Sequence, residues 1–293
     1  MKKVLILLST YNGEEFLEEQ LKSIFSQTGN IKVEVLVRDD GSSDNTTEIL
    51  SEWGKSYPLK WYTGNNLKPA KSFWDLVINA GKSDYYALSD QDDVWESNKL
   101  IKAIEKIDIY EKEPTLYYSK LTPVNNKLEP IEYNYTRKPD SFGRSMIVSY
   151  AAGCTMVFND KLLNIAQRYN PTNIRMHDQW LYLICSAIDG NIINDNKSYI
   201  KYRQHENNTV GASINLYNYI KRLWKSFKHG QERSNQIKEL YKGYKDIIPE
   251  KNLIMIEKII KYDASLKNKL NVILDKNITT YSITKDLLFF ISI

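Results

Sequence analysis

Residues 85–95 read "YYALSDQDDVW": an apolar run from Tyr85 to Leu88 that passes at once into three carboxylates, Asp90, Asp92 and Asp93, within four residues. A short apolar run bounded by turn residues is the pattern of a buried strand, and the charges stand where that strand must end. Held together at the carboxyl end of a sheet, the three would raise one another's pKa, so a positive partner is expected there. A divalent cation would supply it, since Mg²⁺ or Mn²⁺ takes one or two protein carboxylates and leaves its remaining positions to water and phosphate oxygens. A solvated acidic turn accounts for the stretch equally well, because Asp and Ser are ordinary turn residues. A calcium loop of the EF-hand type is excluded: counted from Asp90, the sixth position is Trp95 where Gly is needed, and the twelfth is Ile101 where Glu is needed.

The chain on the N-terminal side repeats the same alternation. Val4–Leu8 predicts a first strand, Leu17, Leu21, Ile24 and Phe25 recur at helical spacing, and Val33–Val37 predicts a second strand. A helix through Ile49, Leu50 and Trp53 follows, with Asn45 and Glu48 as its capping pair. A third strand at Leu59–Tyr62 and a helix marked by Phe73, Leu76, Val77 and Ala80 lead into the quoted strand. The order β-α-β-α-β-α-β implies the α/β class, with a mostly parallel sheet covered by helices on both faces. Such sheets bind ligands outside the carboxyl ends of their strands. Three of those ends are polar and turn-forming: "STYNGE" (9–14), "RDDGSSD" (38–44) and "SDQDD" (89–93).

Beyond residue 120 the alternation breaks into a proline-containing, loop-rich stretch to residue 145. Order returns with a strand at "SYAAGCTMVFN" (149–159), a helix from Asp160 to about Gln167, an apolar helix headed by "HDQW" (177–180), and a last strand "SYIKYRQH" (198–205) that ends on His205.

A chain of 293 residues can hold one large domain, or a domain with a helical appendage, and can bury a sizeable core. Its charge is unevenly spread: 23 Lys and Arg against 27 Asp and Glu in residues 1–200, but 17 against 9 in residues 201–293. The basic part suits an anionic lipid surface, or is simply a solvated helical face. The N-terminal "MKKVLILL" has two lysines and an apolar run, but the run is too short for a secretion signal and no small-residue cleavage site follows. No stretch approaches the roughly 18 to 20 apolar residues needed to span a bilayer. The two cysteines, Cys154 and Cys185, lack metal or redox spacing. The expectation is a cytoplasmic protein with reduced thiols, which the basic tail would bring to the inner face of the cell membrane.

The ordered set "STYNGEEFLEEQLKSIFSQT" (9–28), "VRDDGSSDNT" (37–46), "SDQDDVW" (89–95), "GCTMVF" (153–158), "HDQW" (177–180) and "YRQH" (202–205) resembles the family-2 glycosyltransferases of the GT-A fold, in particular bacterial, rhamnosyltransferase-like enzymes that build surface glycans. The resemblance implies a GT-A nucleotide-diphospho-sugar transferase fold over residues 1–208 and leaves residues 209–293 as a basic helical C-terminal region. It also implies inverting transfer of a sugar from a UDP-hexose or dTDP-rhamnose type of donor to a hydroxyl of a growing glycan, a glycoprotein glycan or a lipid-linked acceptor.

Carried over position by position, Thr10, Tyr11, Glu14, Asp39 and Asp40 would hold the base and ribose, with Lys71 and Asp90 close to the donor. Asp90 and Asp92 would be the DxD pair that holds Mn²⁺ or Mg²⁺, with His205 as a further ligand. Asp178 would be the base that takes the acceptor's proton, while Gly153, Cys154, His177 and Trp180 would shape the acceptor side. Each residue also has a plain structural reading. The strand-end aspartates could cap loop N–H groups, Lys71 could be solvated, Asp178 could be an N-cap, and His205 and Trp180 could be structural.

Two other classes compete with this reading. A metal-dependent nucleotidyltransferase would also want acidic strand ends, but with a Gly-rich, basic phosphate loop in the first βα turn, and "STYNGEE" is neither. A non-catalytic protein that binds sugar nucleotides or carbohydrate would not need Asp90, Asp92 and Asp178 together. No nucleic-acid-binding module is recognisable. In the tail, "INLYNYIKRLWKSFKHG" (214–230) puts Leu216, Ile220, Leu223 and Phe227 on one helical stripe beside Lys and Arg, which suits either a peripheral membrane contact or packing on the protein. The terminal "LLFFISI" (287–293) suits a homo-oligomer contact.

Overall fold

The computed structural model describes residues 1–132, 141–148, 151–204, 230–280 and 282–292. Among them, eight strands form one sheet: β1 (Lys2–Thr10), β2 (Ile31–Asp39), β3 (Leu59–Thr63), β4 (Tyr85–Ser89), β5 (Val94–Trp95), β6 (Thr115–Val124), β7 (Val157–Asn159) and β8 (Asn191–Arg203). Their spatial order is β3-β2-β1-β4-β7-β6-β8-β5. The apolar run Tyr85–Leu88 lies in β4, which is buried at every residue.

The strands β1 to β4 pair in parallel, as the alternation predicts. The other half of the sheet is mixed: β7 is antiparallel to both β4 and β6, β5 is antiparallel to β8, and β6 and β8 run parallel, so that four of the seven pairings are parallel. A parallel neighbour needs a crossover of a dozen or more residues. The acidic turn between β4 and β5 is far too short for one, and β5 crosses to the far edge of the sheet. The expected strand over 149–159 is shorter than predicted, because Gly153–Thr155 forms a 3₁₀ turn ahead of β7. Conversely, β6 runs into the stretch expected to be loop. Register shifts at Ser119, Lys120 and Thr122 break its period-2 pattern and hide it from a periodicity reading.

The period of two within β1 sends Val4, Ile6 and Leu8 to one face and Leu7 to the other. On the first face lie α1 (Leu17–Phe25), α2 (Thr46–Ser56) and α4 (Lys99–Ile107), whose Leu21, Leu50 and Ile104 are buried there. On the second lie α3 (Lys68–Asn79), the short α5 (Phe142–Ser145), α6 (Asp160–Ala166) and α7 (His177–Ala187).

The C-terminal helices α8 (Gly230–Tyr244), α9 (Glu250–Ile260), α10 (Leu266–Ile273) and α11 (Ile283–Ser292) extend that second layer. Ile237, Leu240 and Tyr244 of α8, Ile256 and Ile259 of α9 and Phe289 of α11 belong to the same apolar core as Trp74 and Trp180. Asn252 on α9 donates to the carbonyl of Ala187 at 2.9 Å, satisfying an orphan acceptor at the end of α7. Of the terminal apolar run, Phe289 and Phe290 are buried while Leu287 and Ile291 are exposed. The stripe at 216–227 lies outside the described residues. No helix among the described residues is long and apolar enough to cross a membrane.

Candidate active site

Register brings the polar strand ends together, since β1 lies between β2 and β4 with Thr10 opposite Asp39 and Leu8 opposite Ser89. The first two loops lock onto each other. Asn12, in the left-handed region at φ 46°, donates its N–H to Ser42 Oγ at 2.9 Å and accepts from the N–H of Ser43 at 2.9 Å. Glu14 accepts from both the N–H and the side chain of Asn45, at 3.0 and 2.8 Å. Asn45 makes no side-chain cap on α2, so the expected Asn45–Glu48 capping pair is replaced by this contact between loops. The exposed carboxylate of Glu14 is thereby the brace of the loop pair, and the neighbouring Tyr11 ring is half exposed.

The two aspartates ending β2 are both buried. Asp39 accepts from the N–H and hydroxyl of Ser42. Asp40 is paired with the buried guanidinium of Arg38 and also accepts from the N–H groups of Leu67 and Lys68, at 2.8 and 3.0 Å. Its oxygens are thus spent on positioning the loop that opens α3. Lys71, in the first turn of α3, is exposed.

Gln91, which the sequence reading passed over, ties the acidic turn to the first loop. Its Oε1 accepts from Thr10 Oγ1 at 2.6 Å and from the N–H of Tyr11 at 2.8 Å. The approach is so close that a Cβ at Gly13 would lie 2.5 Å from that same oxygen, so a larger residue there would push Gln91 off this contact.

Beneath Gln91 the carboxylates converge. Ligand atoms of Asp90, Asp93 and Cys154 lie within 4.8 Å of one another. Burial, with Asp92 and then Asp178 adding negative charge, pushes the Asp90 carboxyl up to about 7. Burial and the charges of Asp92 and Asp90 raise Asp93 well above the usual carboxylate range. Asp93 accepts from the N–H of Arg203 through Oδ1, at 3.2 Å, while its Oδ2 is buried with no hydrogen-bond partner among the described residues.

Two buried cations flank this cluster, and neither was singled out from sequence. Lys99 lies 3.2 Å over the Trp95 ring and donates to the carbonyl of Cys154 at 2.9 Å, and burial brings its ammonium down to about 7. Arg203, the arginine of "YRQH", donates to the carbonyl of Asp92 at 2.9 Å and to the carboxylate of Glu19 on α1. His205 lies outside the described residues.

Asp178 is the second residue of α7. Met176 takes the N-cap position, so the aspartate is not the cap. Its carboxylate accepts from the N–H of Gly153 at 3.2 Å and from that of Gln179 at 2.6 Å. Both bonds run to its carboxylate oxygens at the positive end of the helix, and its charge is felt at Asp90.

His177 is buried and stacked on Phe73 at 3.9 Å, both its ring nitrogens lack partners among the described residues, and burial drives its pKa down to about 3. It is a neutral packing residue. Trp180 is fully buried, edge-on to Trp74 at 6.2 Å. This corrects the expectation of an acceptor-facing ring, because the apolar helix carries it into the core. Cys154 is buried too, and burial raises its thiol pKa well above the ordinary range.

A Cβ at Gly153 would lie 2.5 Å from His177 Nε2 and 3.4 Å from Asp178 Cβ. Because His177 is clamped against Phe73, Gly153→Ala is expected to destabilise the fold by about 1–3 kcal/mol and to displace Asp178. A melting temperature equal to the wild type's would show that the histidine gives way.

The donor set suits a hard divalent cation through its carboxylates. Asp93 Oδ2, buried with no hydrogen-bond partner among the described residues, is an oxygen such an ion could take, whereas a thiol held protonated is a poor ligand for it.

A family model described as "Glycosyl transferase family 2" matches residues 5–166. The dTDP-rhamnosyl transferase RfbG of Shigella flexneri is 30% identical over 239 residues, covering 74% of this chain and 78% of its own length. Among solved structures, S. aureus TarS (residues 1–349) in complex with UDP-GlcNAc superposes with a TM-score of 0.58 at 18% identity, covering 94% of this chain and 77% of that one. The mannosyltransferase PcManGT from Pyrobaculum calidifontis, in complex with GDP-Man and Mn²⁺, gives a TM-score of 0.54 at 15% identity, covering 98% and 85%. The sheet order and helical layers described above are therefore those of the GT-A glycosyltransferases.

Proposed function

The chain belongs to glycosyl transferase family 2, and from that membership we propose that it transfers a sugar, with inversion, from a dTDP-rhamnose or UDP-hexose type of donor to a hydroxyl of a glycan, glycoprotein glycan or lipid-linked acceptor. The observation that carries this reading is the convergence of Asp90, Asp92 and Asp93 from the β4 turn with Asp178 from α7 at the edge where β1 and β2 also end. The similarity to the Shigella enzyme makes dTDP-rhamnose the first donor to test.

In this mechanism the loops after β1 and β2 receive the nucleotide. Tyr11 offers a half-exposed ring to the base, and Asp39, whose two oxygens accept from Ser42, would meet the ribose hydroxyls. Asp90 and Asp92 would hold Mn²⁺ or Mg²⁺, which when bound neutralises charge developing on the leaving diphosphate. The acceptor hydroxyl attacks the anomeric carbon from the face opposite the diphosphate. Its proton passes to a carboxylate oxygen of Asp178, the bond from the anomeric carbon to the diphosphate oxygen breaks, and the nucleoside diphosphate leaves with that electron pair. Arg203 and Gln91 hold the acidic turn in place from below and from the side.

Residues 1–208 carry donor binding and chemistry in this reading. The basic region 209–293 helps to hold the acceptor or its carrier, in the cytoplasm or at the inner face of the membrane. Thermal shift with dTDP- and UDP-sugars tests it: at a hundredfold excess over the dissociation constant, the right donor with Mn²⁺ stabilises the fold by about 2.7 kcal/mol. No shift with any dTDP- or UDP-sugar in the presence of Mn²⁺ would remove the donor assignment.

A further inference from the structure

Beside Asp178 lies a pocket that the donor mechanism does not use. It is a small pocket, partly open to solvent, bounded by residues 145–148, by α7 and by α8. Two arginines line it from separate elements, Arg175 from the segment just before α7 and Arg233 from the start of α8. Both are partly buried, and among the described residues neither makes a hydrogen bond or an ion pair. Burial lowers the pKa of Arg175, against the charges of Glu232 and Asp178, and burial together with the charge of Arg175 brings Arg233 down to about 10.

Two arginines drawn from water toward each other favour an anion between them, beyond what the charges of Glu232 and Asp178 offset. Guanidinium forks match the oxygens of a phosphoryl group in a bidentate manner, which a single ammonium cannot do. The position identifies the bearer. Arg175 feels the charge of Asp178, so an anion seated here lies near the residue assigned to receive the acceptor's proton. The donor's diphosphate belongs with Asp90 and Asp92. The remaining walls, Met146, Ile147, Leu183 and Ile237, are apolar and suit the carbon skeleton attached to such a group.

We propose that Arg175 and Arg233 bind a phosphoryl group carried by the acceptor, so that the acceptor is a phosphate-bearing glycan or a lipid phosphate. The proposal rests on the transferase reading above and on its assignment of Asp178.

Isothermal titration calorimetry on the full chain tests it, with EDTA present so that a metal-held donor site takes up no phosphate, and with inorganic phosphate and octyl phosphate as probes. Saturable binding is expected in the wild type, at least tenfold weaker in Arg175→Gln and Arg233→Gln, with Arg233→Lys in between because it keeps the charge and loses the fork. Melting curves identify any variant that fails to fold; if Arg233→Gln does, Arg175→Gln and Arg233→Lys carry the comparison. Octyl phosphate binding at least tenfold tighter than inorganic phosphate points to a lipid-linked acceptor and equal binding to a phosphate within a glycan, and either supports the site. No saturable binding to the wild type, or binding unchanged in both glutamine variants, overturns it. Nucleotide-sugar binding with Mn²⁺, measured on the wild type, reports separately on the transferase reading.

Discussion

Asp178→Asn is expected to lower sugar transfer by roughly 10²- to 10⁴-fold, the range a positioned general base supplies, with donor affinity unchanged. The substitution keeps the shape of the side chain and an oxygen that can accept from the N–H of Gly153, so α7 and its contact with the 3₁₀ turn should persist. What it removes is the carboxylate assigned to take the acceptor's proton. His177, adjacent in sequence, cannot substitute, because it is buried and its pKa is driven down to about 3. The loss should therefore fall on kcat and on kcat/KM alike, the pattern of an interaction made only in the transition state. Calorimetric titration of the donor beside steady-state rates separates this from a structural role. If Asp178 merely holds the turn, Asp178→Asn will lower the melting temperature and weaken donor binding together, and transfer will fall only in proportion.

The parts of this site that could be read in the sequence are those whose residue type and strand-end position coincide. Asp90, Asp92 and Asp178 stand at a strand end or a helix start, where apolar periodicity stops and a carboxylate begins, and the structure brings them into one electrostatic cluster. The helices α1, α2, α3, α6 and α7 and the first four strands were legible for the same reason: a period of 3.6 or 2 on one face is imposed by the core and survives in a single sequence.

What could not be read depends on pairing across the sheet. Lys99 and Arg203 lie far apart along the chain, and nothing local marks a buried lysine on an amphipathic helix. Only the juxtaposition of α4, β8 and the acidic turn turns them into the site's internal cations. Asp40 fails the other way. It looks like Asp39 in sequence, yet Arg38, two residues earlier on the same side of the strand, captures it. Trp180 shows how a motif position misleads once the helix that carries it turns its apolar face inward.

Removing the divalent ion should have the other large effect. With EDTA, or in Asp90→Ala, donor turnover is expected to fall by about a thousandfold or more, since charge stabilisation on the leaving diphosphate amounts to several kcal/mol, and donor binding should weaken with it. Asp92→Ala should likewise damage donor binding, unlike Asp178→Asn.

The protein's own electrostatics add a signature that does not depend on turnover. The Asp90 carboxyl is raised to about 7 in the fold, against roughly 4 in an unfolded chain. A group raised in this way contributes stability that is complete below its unfolded value and is lost as pH rises through its folded value, and Asp93, raised for the same reasons, acts in the same direction. The metal-free protein should therefore melt at progressively lower temperature as pH rises from about 4 toward 7, so far as this cluster governs it. Mn²⁺ should reverse the trend, because ion and proton compete for the same carboxylates and the ion wins once the proton leaves. Melting curves at several pH values, with EDTA and with Mn²⁺, report both limbs. A melting temperature that responds to neither pH nor Mn²⁺ in the wild type, together with undiminished donor turnover in EDTA, would mean that Lys99 and Arg203 neutralise the acidic turn without an ion.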